Sequence, residues 1–232
     1  MSDRYDRASE GRMTMSEPGR VVPARRRGLA DEVADRVRDA IFGGAYPPGA
    51  QLREVELSAA LGVSRGPVRE ALLKLEREGL VRSEWHRGAI VTTLSDVDVA
   101  ELDSLRSALE QLAVRLVVAS APDAGLDAID EVVERMRRAR DEHEMVRCDI
   151  DFHDAVYAAS GHRRLIEAWQ AIRSQVHLFL LTRIGVNSEG YLASIPEEHR
   201  RLASALRARD GEKALELFAV HRGQALDVLT GK

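Results

Sequence analysis

Apolar positions recur along this chain in two manners, with a change near Ser95. Beyond that point they follow helical spacing almost throughout, whereas before it short helical stretches are interrupted by glycine, proline and two brief strand-like runs. Val33, Val37, Ala40 and Ile41 mark one face of a helix over 29–42, which Gly43-Gly44 ends before Tyr46-Pro47-Pro48-Gly49 turns the chain. A short helix over 53–61 and a tight turn at Gly62-Val63 lead to a third helix starting near Arg65. Ser64 is placed to cap it, and Pro67 is tolerated because first-turn amides have no intrahelical partner. Val68, Ala71, Leu72 and Leu75 share its buried face, and Gly79 followed by Leu80 stops it. Residues 81–84 and 89–92 then pair as strands around Trp85-His86-Arg87-Gly88. A helix-turn-helix followed by a basic hairpin predicts a winged helix.

Ser95 and Asp98 resemble a capping box opening a long helix. Its Leu102, Leu105, Leu109, Leu112 and Leu116 alternate spacings of three and four, which predicts a buried stripe ending before Pro122. Asp123 restarts the chain, Leu126, Ile129, Val133 and Met136 mark the next helix, and 146–159, 163–184, 190–208 and 211–229 supply four more. The fold class expected is mainly α: a winged helix-turn-helix followed by an all-α antiparallel helical bundle. The division expected is a disordered arm over 1–27, a DNA-binding unit over 28–94 and a helical unit over 95–232. Arg20, Arg25, Arg26 and Arg27 in the arm either touch phosphates or belong to a solvated tail.

Charge sharpens this division. The net charge of -4 is the sum of unlike parts: residues 20–95 hold 13 Lys and Arg against 10 Asp and Glu, and residues 96–232 hold 18 against 24. A basic first part and an acidic second fit nucleic-acid binding by the former only. No apolar run approaches the roughly 20 residues of a membrane span, and the N-terminus lacks a signal peptide's apolar centre, so a cytoplasmic protein is expected. The single Cys148 excludes an internal disulfide and reads as a buried thiol.

Arg65 and Arg69, four apart near a helix N-terminus, suit phosphate or a bidentate contact to guanine, although solvated arginines on an ordinary amphipathic helix carry the same spacing. The wider motif decides between them. Ile41-Phe42-Gly43-Gly44-Ala45-Tyr46-Pro47-Pro48-Gly49, Leu52-Arg53-Glu54, Glu56-Leu57, Gly62-Val63-Ser64-Arg65 and Pro67-Val68-Arg69-Glu70-Ala71-Leu72 together resemble the DNA-binding domain of the GntR family of bacterial transcription regulators. The resemblance implies DNA contacts by Arg65 and Arg69, with Ser64 and Gly66 near the backbone, His86 at the wing tip and Arg53 beside the contact region. Val55 stands where some members carry an arginine. His86 also reads as an exposed wing histidine without a partner.

In the helical unit, Asp149 and His153 are four apart and stack on one helix face, while His199 and His221 lie on the apolar faces of two later helices. Three imidazoles and a carboxylate projecting inward from different helices are how bundles build metal sites, and this donor set suits Zn²⁺, Ni²⁺ or Mn²⁺ without choosing among them. The pattern resembles the metal-binding signature of the FCD effector domain, which this family fuses to such winged domains. Arg106 resembles the family arginine facing the ligand cavity, where it would clamp a small carboxylate effector; a salt bridge to Glu110 is the other reading. Arg173 and Tyr157 are weaker candidates for the rim, and His162 reads as a helix cap or surface residue. The function expected is a homodimeric, ligand-responsive regulator, a repressor, bound to a near-palindromic double-stranded operator without contact with a membrane. The alternatives are a metal-dependent hydrolase-like enzyme, or a regulator whose metal is structural or is itself the signal.

Overall fold

The computed structural model describes residues 28–230; the arm expected over 1–27 and its arginines lie outside the described residues. Helix α1 (Leu29–Phe42) comes first, followed by strand β1 (Gln51–Leu52), α2 (Glu54–Leu61), α3 (Arg65–Arg77), β2 (Val81–Glu84) and β3 (Gly88–Val91). The strands form one antiparallel sheet in the order β1-β3-β2, with Leu52 opposite Ala89 and Val81 opposite Val91. Strand β1 is too short to leave a pattern in the sequence, and β3 runs one residue earlier than its apolar run suggested. Gly62 at φ 65° closes α2 and makes the tight turn possible. Ser64 stands at the N-cap of α3, but its side chain makes no capping hydrogen bond, contrary to expectation. Val33, Val37 and Ile41 of α1 pack on Val68, Leu72 and Leu75 of α3 to form the core of this winged unit.

The bundle comprises α4 (Asp96–Ser120), α5 (Asp123–Met136), α6 (Glu142–Ala159), α7 (Arg163–Val186), α8 (Tyr191–Arg207) and α9 (Gly211–Thr230). Ser95 accepts from the Asp98 amide at 3.2 Å while Asp98 accepts from the Ser95 amide at 2.8 Å, which is the expected capping box. His162 caps α7 by accepting from the Leu165 amide. Helix α6 starts four residues before the predicted position, because Asp141 caps it. With Val146, Ile150, Phe152 and Val156 fully enclosed, α6 is the central helix.

The stripe on α4 corrects the sequence reading. Leu105 and Leu112 are 47% and 41% exposed, and the buried face instead carries Val99, Leu102, Arg106, Glu110, Ala113, Val114 and Val117. Two charged residues occupy the inward face because they reach partners inside the bundle, so of the leucine stripe only Leu102 is enclosed, Leu109 and Leu116 are half-buried, and Leu105 and Leu112 are left outside. Between the two units, Phe42 stacks on His177 with ring centres 3.6 Å apart, and Arg38 of α1 binds Glu78, which also accepts from Ser174 of α7. Among the described residues, no helix is long and apolar enough to cross a membrane.

Candidate functional site

The first candidate site is a groove of about 510 Å³ between α2, the start of α3 and the wing, lined by Arg53, Glu54, Arg65, Arg69, His86 and Arg87 among others. The fold thus brings together four of the expected DNA-contacting residues; Ser64 and Gly66 lie exposed at the start of α3 outside this lining. His86 adopts φ 64° at the wing turn, with the side chain of Trp85 exposed beside it. Glu54 is the residue that sequence reasoning missed. Its carboxylate accepts from Arg65 at 3.0 Å and from Arg69 at 3.0 and 3.1 Å, and these hydrogen bonds, with that to Arg69 the largest influence, hold its pKa below the usual carboxylate range. Both guanidiniums are therefore oriented together at the mouth of the groove, and Nη1 of each remains free of Glu54.

The second site lies in the bundle. Asp149 and His153 of α6, His199 of α8 and His221 of α9 are all buried, and each offers a ligand atom within 4.8 Å of the others. The outward ring atoms decide the tautomers. His199 Nδ1 donates to the Ile195 carbonyl at 2.9 Å and His221 Nδ1 donates to the Glu198 carboxylate at 3.1 Å, which leaves both Nε2 lone pairs free. His153 Nδ1 faces Glu110 at 3.2 Å, and its Nε2 accepts from Arg106 at 2.7 Å. Such outer carbonyl and carboxylate partners are how proteins orient imidazoles toward a cation. Asp149 Oδ1 and His199 Nε2 are buried without any hydrogen-bond partner, and orphaned acceptors of this type fit a metal ion. Burial opposes the charge on Asp149, yet the imidazoles of His199, His221 and His153 hold its pKa far below the ordinary value; burial and then Arg106 keep His153 neutral.

Arg106 is 3% exposed and lies 3.4 Å from Glu110, so the salt bridge and the inward placement hold at once. Glu110 also accepts from Arg222 of α9 at 3.2 Å, a contact across 112 residues that no local pattern announces. Glu198 was legible only as the acidic neighbour of His199. Arg173 is not at this rim: it binds Asp154 and faces the seam between the two units. Tyr157 is wholly buried and stacked on Trp169. Cys148 is buried, and burial raises its thiol pKa.

Comparison with known proteins covers both units of the chain. The model of the FCD domain matches residues 101–224, and that of bacterial regulatory proteins of the gntR family matches residues 29–91. A probable D-xylose utilization operon transcriptional repressor of Paenarthrobacter nicotinovorans is 33% identical, over 83% of this chain and 85% of its own. The gluconate operon transcriptional repressor of Bacillus subtilis is 28% identical over 82% and 79%. Among solved structures, a GntR regulator from Rhodococcus sp. RHA1 superposes with a TM-score of 0.78 at 26% identity, covering 88% of this chain and 98% of that one. McbR/YncC of E. coli does so with a TM-score of 0.77 at 25% identity, covering 89% and 99%. The chain belongs to the GntR family of bacterial regulatory proteins, carries an FCD domain behind its winged helix, and is a DNA-binding transcription regulator.

Proposed function

We propose that this regulator is a homodimeric repressor in which residues 28–94 read a near-palindromic operator in the cytoplasm and residues 95–232 sense a small carboxylate through a bound metal. The observation that carries the sensing half is the convergence of Asp149, His153, His199 and His221, with Nδ1 of His199 and of His221 hydrogen-bonded to outer acceptors. A divalent transition metal, Zn²⁺, Ni²⁺ or Mn²⁺, held by these four residues would supply a Lewis-acidic anchor for one end of the effector. Arg106 supplies the other: its Nη2 gives up His153 when the site is filled and turns to a carboxylate. Reading of DNA rests on Arg65 and Arg69 in the major groove, with Arg53 and His86 flanking and Ser64 and Gly66 close to the backbone.

Dimerisation is supported by the exposed Val97, Leu105 and Leu112 on α4 and Val220 on α9, apolar side chains that a second copy would cover. Repression is supported by the names of the xylose and gluconate operon relatives, which also direct effector screening to sugar acids. Hydrolysis is disfavoured: Asp149 is taken as a ligand, and Glu110 is engaged by Arg222 and Arg106, so neither of these two carboxylates is free to act as base. Thermal-shift screening of metal-loaded protein against small carboxylates tests the proposal, since a true effector raises the melting temperature by mass action and changes operator affinity. A metal-loaded protein that no carboxylate stabilises, or one stabilised without any change in operator binding, would refute the sensing role.

A further inference from the structure

A second cavity, of about 410 Å³, opens at the seam between the winged unit and the bundle and shares no residue with the metal centre. Its walls carry Arg38 of α1, Arg135 of α5, Arg138 in the turn just past that helix, Arg147 of α6 and Arg173 of α7. Three of these guanidiniums are neutralised where they stand: Arg38 by Asp35 and Glu78, Arg135 by Asp151, and Arg173 by Asp154. Arg138 and Arg147 are exposed and have no ion pair among the described residues. His177 also lines this cavity, 2% exposed, flat against Phe42, with neither ring nitrogen hydrogen-bonded. Burial and then Arg173 keep this imidazole neutral, so it offers one N–H donor and one acceptor.

We infer that this seam binds a small phosphomonoester, its phosphoryl group held by Arg138 and Arg147 with His177 donating from the cavity wall, and that binding ties α1 to the bundle. Guanidiniums approaching from several helices suit the divergent oxygens of a tetrahedral phosphoryl group better than a carboxylate, whose two oxygens take donors in one plane. Asp39, Glu144 and Asp151 in the same wall limit the anionic charge the cavity accepts to one such group and provide acceptors for hydroxyls on the rest of the ligand. The volume is that of a small-molecule site. Because Phe42 and Arg38 belong to the winged unit and the rest to the bundle, occupancy bears on how the DNA-reading helices are held.

The test is calorimetric titration of the full metal-loaded chain with inorganic phosphate at constant ionic strength, citrate serving as the carboxylate comparison. Saturable binding of one phosphate per chain is expected. Arg138→Gln with Arg147→Gln should weaken it at least about tenfold without loss of fold, since both side chains are exposed and unpaired. His199→Ala should bind phosphate as the parent does, which separates this site from the metal-dependent one. Hydrogen exchange should slow in both α1 and α7 on adding phosphate. No saturable phosphate binding, parental affinity in the double variant, preference for citrate, loss of phosphate binding in His199→Ala, or protection confined to the bundle would each overturn the inference.

Discussion

Acid should weaken this protein through His177, and the size of the effect follows from its setting. The ring is sealed between Phe42 and the bundle, and burial, followed by the nearby Arg173, lowers its pKa from 6.5 to about 3. The folded pKa lies below the unfolded one, so as pH falls the unfolded chain takes up the proton first. The stabilisation is therefore whole above about pH 6.5 and is lost progressively between that value and about 3. At pH 5 the unfolded form is favoured by about 2 kcal/mol on this account, at about 1.4 kcal/mol per pH unit. The perturbation that isolates it is His177→Phe, which keeps the stack and removes two nitrogens that have no hydrogen-bond partner. Removing unsatisfied polar atoms costs little by itself, so stability at pH 7 should be at least retained. Urea unfolding of both proteins in chelator at pH 7 and pH 5 gives a double difference, in which the acid sensitivity of the shared metal cluster cancels. The reasoning fails if the variant loses as much stability between the two pH values as the parent does.

His199→Ala should abolish stoichiometric metal binding, read by elemental analysis after dialysis, because it deletes an orphaned Nε2 acceptor. Arg106→Ala should bind the metal more tightly than the parent and lose response to carboxylates, since its guanidinium competes for the His153 Nε2 lone pair; metal competition with a chromophoric chelator measures the first effect. Arg69→Ala should weaken operator binding by about tenfold or more in a fluorescence anisotropy titration. Glu54→Gln should raise affinity for random duplex and lower discrimination, by releasing two arginines from their shared carboxylate.

What the sequence determined by itself was whatever depends on neighbours within a turn or two. The Ser95 and Asp98 box, the helical face of Val68, Leu72 and Leu75, and the stacking of Asp149 on His153 are local, because three or four residues span one turn of helix. His199 and His221 were legible as inward because the apolar residues flanking them fix a face. Only the tertiary structure decided which side of α4 faces the bundle. Its leucine spacing suits burial against either the bundle or a second copy, and Arg106 and Glu110 were drawn inside by His153, 47 residues from Arg106, and by Arg222, 112 from Glu110. The same holds for Glu54, bound to arginines 11 and 15 residues ahead, and for the stack of Phe42 on His177. Contacts at such separations carry no periodicity, because the chain between them follows its own local rules, and a charged or aromatic side chain accepts many partners until packing selects one.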